Sequence, residues 1–266
     1  MNTKADSSAI NKSSDASAAP SDINQSTLKL LVGVIALTLA AVSNFFSQTS
    51  IDSISAAYFE GGLARDIFVG SLFAVSAFLV AYNGAGIWEL CLSKIGAFAA
   101  AGVALFPCHC VQTISNDPVV LWKLLSVQAD AMSRMSELHY IAAAALFLVL
   151  AEFCRIFYGR AKRKGHAEAR IRMGIYTACG LVMIASLIFL SVGKFFHFYQ
   201  LIPNAVYLGE QAGLMAFGLS WLTASKVVPG LATSYERSES GWTRKKIEKP
   251  TPQAGMESSA DKVSVV

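Results

Sequence analysis

Six apolar runs separated by polar connections set the plan of this chain. They occupy 28–46, 67–82, 90–107, 138–157, 173–191 and 206–227. Each run is continuous in apolar character rather than alternating, so it reads as a helix and not as a barrel strand. A hydrocarbon core about 30 Å thick takes about 20 residues of helix. The six runs and their connections use nearly all of 28–228 as one membrane domain. The expected fold is therefore all-α, a polytopic transmembrane bundle of six helices.

A second pattern lies between the third and fourth runs. Asp117-Pro118 supplies an N-cap followed by proline at the first helical position. Beyond it, Lys123, Ser126, Asp130, Ser133, Arg134 and Glu137 recur mostly at steps of three and four, and Leu121, Leu124, Leu125, Met132 and Met135 take the other face. This predicts one outer amphipathic helix over 118–135, lying on the membrane surface and running into the fourth span at Leu138. Small residues, Ala97, Ala101 and Ala104 in the third run and Gly209, Gly213, Ala216 and Ser220 in the sixth, mark expected packing seams.

Charge orients the plan. With the N-terminus placed in the cytoplasm, 18 of the 22 Lys and Arg residues fall on the inner side and four (Arg65, Lys123, Arg134, Lys194) on the outer. Basic residues beside a span resist translocation, so both termini are expected in the cytoplasm. Residues 1–27, rich in Ser, Ala, Asp and Asn, read as a disordered cytoplasmic tail. Residues 229–266 read as a disordered basic tail in which Trp242 precedes Arg244, Lys245, Lys246 and Lys249, a composition open to plain solvation or to headgroup contact. The first run reads as an uncleaved anchor, with cleavage near Ala40-Ala41-Val42-Ser43 as the alternative.

Composition agrees. The chain is 54% hydrophobic and only 15% charged, against about a quarter charged in soluble domains. Its net charge of +4 is juxtamembrane, so membrane lipids and not nucleic acid are the expected partners. Five cysteines define no framework, although Cys108 and Cys110 flank His109 at the outer end of the third run.

Ionisable side chains at membrane depth are costly, so each is a functional candidate. Asp66, Glu137, His139 and Glu210, with His109 and His197, all fall on the outer side of this topology, and His166 alone among the histidines is inside. Imidazole and carboxylate suit zinc, which lowers the pKa of bound water. Quieter readings stand beside this one: a helix-terminal His139 bonded to a loop carbonyl, Asp66 at a helix N-terminus paired with Arg65, and a buried polar network that orients helices.

Ser53-Ile54-Ser55-Ala56-Ala57-Tyr58-Phe59, Arg65-Asp66-Ile67-Phe68-Val69-Gly70, Ala104-Leu105-Phe106-Pro107, Leu138-His139-Tyr140 and Ala216-Phe217-Gly218-Leu219-Ser220-Trp221 together resemble an uncharacterised family of small bacterial six-helix integral membrane proteins. More distantly the chain resembles the CREST superfamily of membrane hydrolases and receptors, which includes the alkaline ceramidases. That resemblance implies a serine, an acidic residue and histidines around zinc. Ser55, Asp66 and His139 match by position; the paired histidines of the last helix are absent, and Glu210 is the acidic residue there. The expectation is an integral inner-membrane protein of unknown activity with an outward-facing polar site. The alternatives are a metal-dependent membrane hydrolase acting on a lipid amide or ester, and a small-solute or lipid carrier. In the hydrolase, Asp66, His139 and Glu210 would be catalytic and would hold the zinc, with Ser55 and Tyr58 on the substrate.

Overall fold

The structure, a computed structural model, describes residues 24–47, 52–60, 62–106, 108, 121–196 and 204–240, without the side chains of 60, 121–133 and 239. Expectations placed on 1–23, His109, Cys110, Asp117, Pro118, His197 and the Trp242 cluster lie outside the described residues. Apart from one isolated bridge between Pro229 and Ala232, the regular structure is helical. The long helices are α1 (Gln25–Phe46), α3 (Gly62–Ala81), α4 (Ile87–Leu105), α5 (Leu121–Lys164), α6 (Ala167–Phe196) and α7 (Ala205–Ala224). A 3-10 turn at Ile54–Ala56 and the short α2 (Ala57–Glu60) follow α1, and α8 (Ser234–Glu239) follows α7.

Each long helix packs on the next in sequence, and α7 returns to α1, so the six close into a ring. Five of them, all but α7, are long and apolar enough to cross a membrane. Large side chains such as Phe98, Ile141, Leu148, Leu181 and Ile188 stand exposed along them. A water-soluble protein seldom leaves so much apolar surface bare, whereas lipid tails solvate it. The chain is thus built as a multi-pass membrane protein. Helix α7 has a span's length but carries Glu210 and Gln211, and ten of its 20 residues are buried. A helix screened by its neighbours does not need an apolar surface all round.

The predicted outer helix is not a separate element. Residues 121–135 are helical but continue without a break into the fourth run, making α5 a single helix of 44 residues. No Gly or Pro lies between Leu121 and Leu138 to stop it. At 1.5 Å per residue the rod is about 66 Å long, about twice the hydrocarbon thickness.

The seams follow the small residues. At the α1–α7 crossing, a Cβ on Gly33 would stand 2.9 Å from the Gly218 carbonyl oxygen and from the Leu222 nitrogen, and one on Gly218 would stand 2.8 Å from the Gly33 oxygen. A Cβ on Gly213 would strike the Phe147 ring. Lipid provides no hydrophobic drive between helices, so this intimacy of contact is what holds them together. Towards the end of the ring that carries Lys29 and Lys164, an aromatic cluster fills the interior. Trp221, fully buried, meets Phe153 at 5.4 Å, Tyr82 and Phe217 at 5.7 Å, and Phe157 at 5.9 Å between ring centroids. These are edge-on or tilted contacts, the geometry that opposed ring quadrupoles favour.

Gly33→Ala should destabilise the detergent-solubilised protein by about 1–3 kcal/mol, the usual cost of overpacking a close contact. Gly70→Ala, whose Cβ meets nothing within 4 Å, serves as the control and should be neutral or stabilising. Equal thermal unfolding midpoints for the two variants would show that the α1–α7 crossing does not depend on close backbone approach.

Candidate functional site

The chemistry divides between the two ends of the ring. At one end α7 begins and α4 stops. Glu210, one turn into α7, reaches the loop after α1. Its carboxylate accepts hydrogen bonds from the Ser53 hydroxyl (2.9 and 3.0 Å to its two oxygens), the Ser55 hydroxyl (2.8 Å) and the backbone N–H groups of Ile54 (2.5 Å) and Ser55 (3.4 Å). The two serine oxygens lie 2.7 Å apart. In return the Asp52 carbonyl accepts from the Tyr207 N–H at 3.0 Å, satisfying one of the unpaired donors of the first turn of α7. Glu210 and Ser55 are therefore brought together, as a carboxylate saturated by donors that pin the first loop to α7. Tyr58 is half-buried beside them in sequence, its ring edge-on to Phe59 at 5.5 Å.

The other two residues of the expected set stand elsewhere. His139 is buried, and its Nδ1 lies 2.7 Å from the Phe106 carbonyl oxygen at the C-terminus of α4. That oxygen is one of the carbonyls a helix end leaves without an internal partner, and the ring N–H donates to it. Asp66 is 66% exposed and paired with Arg65 at 3.7 Å. Among the described residues, no group of three His, Cys, Asp or Glu side chains is placed to hold a metal ion. Near His139, the Lys194 ammonium sits 3.2 Å above the centre of the Tyr140 ring.

The opposite end gathers far more charge. A cavity of about 150 Å³ opens there between α1, α5, α6 and the end of α7. Its walls hold five cations, Lys29, Arg160, Lys164, Arg172 and Lys226, and Phe157, Ala161, Tyr176 and Ala224 supply the apolar remainder. Two buried carboxylates flank it. Glu89, in the first turn of α4, accepts from the Tyr82 hydroxyl at 2.5 Å and the Ala85 N–H at 2.9 Å, and is paired with Arg160. Glu236 of α8 accepts both arms of the Arg172 guanidinium, at 2.8 and 3.1 Å, and is also paired with Lys164. His166 Nε2 lies 3.7 Å from Glu236, and its Nδ1 lies 3.2 Å from Glu168.

Lys29 differs from its neighbours. Its ammonium rests over the Tyr82 and Phe157 rings, 5.4 and 5.6 Å from their centres. Among the described residues it makes no ion pair. A half-buried cation held only by aromatic faces is less compensated than one with a carboxylate. Among the described residues, two carboxylates face the four cations Lys29, Arg160, Lys164 and Arg172, which leaves a surplus of positive charge in a partly apolar space even with Lys226 set aside. Such a place favours an anion.

Sequence reasoning missed this site. It treated Lys29, Lys226 and the basic residues from Arg155 to Arg172 as orientation signals, and read 229–266 as a disordered basic tail open to solvation or to headgroup contact. In the structure those residues fold back. Thr233 caps α8 through a capping box with Glu236, the Arg172 guanidinium donates to the Leu231 carbonyl at 2.7 Å, and the Asn24 amide donates to the Ser240 carbonyl at 3.1 Å. The signals available were Thr233-Ser-Tyr-Glu236, which has the spacing of a capping box, and Glu89 flanked by Trp88 and Leu90 at the start of an apolar run.

Compared with known proteins, the chain matches no family model, no curated protein and no solved structure.

Burial raises the Glu236 carboxyl pKa, but the hydrogen bonds and charges of Arg172 and Lys164 outweigh it and hold the group down to about 2. A carboxylate depressed on folding contributes stability that is present above its unfolded value and lost as pH falls through the folded one. Hydrogen exchange across 229–240, corrected for intrinsic rates, should therefore be slow at pH 6 and accelerate between about 4 and 2. Protection unchanged down to pH 2 would mean that α8 is not held by this pair.

Proposed function

We propose that this is a multi-pass inner-membrane protein with six spans, α7 being the sixth, and both termini in the cytoplasm, and that it binds an anionic ligand in the basic cavity at its cytoplasmic end. The cavity walled by Lys29, Arg160, Lys164, Arg172 and Lys226 carries this reading. The orientation draws on the 18-to-four division of basic residues. The same reading puts the Glu210–Ser53–Ser55 group on the outer side as an anchor for the first loop. It favours a binding protein or carrier for a small anionic solute or lipid, with membrane lipids as its surroundings.

Reporter fusions at Gly165 and Gln128 should give cytoplasmic and external signals respectively. The reverse pair of signals would overturn the orientation. For the cavity, acetate or phosphate added at constant ionic strength should raise the thermal midpoint of the wild type. The rise should be lost in the double variant Lys29→Gln/Lys226→Asn. An identical rise in both proteins would place the anion effect elsewhere.

The zinc hydrolase implied by the family resemblance has less support, because Asp66, His139 and Glu210 are each taken up by different partners. His139→Ala should leave the Phe106 carbonyl without its donor and cost about 1–3 kcal/mol in stability, with zinc content unchanged by elemental analysis. Stoichiometric zinc in the wild type that disappears in this variant would restore the hydrolase reading.

A further inference from the structure

We infer that the basic cavity is a phosphate subsite, built for the dianionic phosphoryl group of a small phosphomonoester or of a lipid headgroup ending in one. This rests on the anion-binding reading above and narrows it to one ligand chemistry.

Charge comes first. Lys29, Arg160, Lys164, Arg172 and Lys226 reach the cavity from α1, α5, α6 and the turn that follows α7. Glu89 and Glu236 pair with Arg160, Arg172 and Lys164, and Lys29 meets no carboxylate at ion-pair distance among the described residues. A ligand with a single negative charge would leave much of the surplus standing. A terminal phosphoryl group brings up to two charges and three strong acceptor oxygens.

The geometry of the donors agrees. Arg172 already holds a two-oxygen anion in its fork, with Glu236 oxygens at 2.8 and 3.1 Å. Guanidinium forks suit planar oxyanion faces, and lysine ammonium groups act as point charges towards a third oxygen. Glu236 thus takes up the Arg172 fork from within the chain, and Lys29, with no carboxylate at ion-pair distance among the described residues, is the donor left to meet a ligand beside it.

Size and lining set the remainder of the ligand. A cavity of about 150 Å³ that opens at the helix ends admits a phosphoryl group with a short ester stem. Phe157, Ala161, Tyr176 and Ala224 offer that stem an apolar wall. The site lies at the helix ends, next to where headgroups lie if the orientation above holds. A soluble phosphomonoester and a phosphomonoester lipid therefore present the same group to it.

The test uses the full chain in a neutral detergent, with calorimetric titration of inorganic phosphate and, separately, acetate. Phosphate should bind at least about tenfold more tightly than acetate, and Lys29→Gln and Lys226→Asn should each weaken phosphate about tenfold. Circular dichroism without ligand should match the wild type. Asn is chosen at Lys226 because the backbone there has φ +61°, which Asn tolerates. Equal binding of acetate and phosphate, both lost in the variants, would overturn the phosphate assignment and leave the anion site standing. No anion binding, or binding that both variants retain, would overturn both.

A second arm uses short-chain phosphatidic acid and phosphatidylglycerol in mixed micelles. Preference for the monoester headgroup, lost in Lys29→Gln, supports a lipid source of the same group. Tight inorganic phosphate binding with no lipid preference supports a soluble one. Equal, Lys29-dependent binding of both lipids would overturn the dianion argument, because the phosphodiester carries a single charge.

Discussion

Everything in this fold depends on the close approach of α1 and α7 at Gly33 and Gly218. The other five contacts of the ring join helices that follow one another along the chain, if α2 is passed over. The closing contact joins the first long helix to the last. It brings Lys29 near the C-terminal end of α7, where Ala224 and Lys226 complete the cavity wall. It also carries Glu210 towards the loop that leaves α1. A side chain at either glycine would wedge both ends of the ring.

Lipid cannot hydrogen-bond to a stray polar group, and the two ends solve this in opposite ways. At the α7 start, a single acid is surrounded by neutral donors, and none of them carries charge. At the basic end, acids and bases are interleaved: Glu89 lies between Tyr82 and Arg160, and Glu236 between Arg172, Lys164 and His166. The first arrangement is closed and self-satisfied, which suits an anchor. The second retains a surplus of one sign and an opening beside it, which suits a ligand.

The helical plan was legible because membrane helices are written in continuous apolar runs, and all six runs became helices. The sixth is the instructive one. Glu210 and Gln211 lower its hydropathy below what a lipid-facing span needs, but its small residues say that neighbours cover it. The break between the outer helix and the fourth run existed only in composition: polarity changes at Leu138, but helix propensity does not. The site was harder to read. His139 and Asp66 draw attention as rare polar residues, and the quieter readings, a loop carbonyl for the one and Arg65 for the other, are what the structure holds; sequence offers them beside the metal reading but does not choose between them. The cavity cations were hidden among ordinary inner-side lysines and arginines. Their convergence depends on which helices become neighbours, and that is settled by packing. The docking of 229–240 was hidden for the same reason, since a capping box is visible locally but its buried partner Arg172 lies 64 residues away.

The unbroken course of α5 has a mechanical meaning. One end of it bears Arg160 and Lys164 on the cavity wall, and the other continues past the neighbouring end of α4 to Leu121. Between them it packs on α4 and α6 inside the ring. Any tilt imposed at the charged end would therefore be carried to the far tip without a break in the backbone hydrogen bonds of the helix.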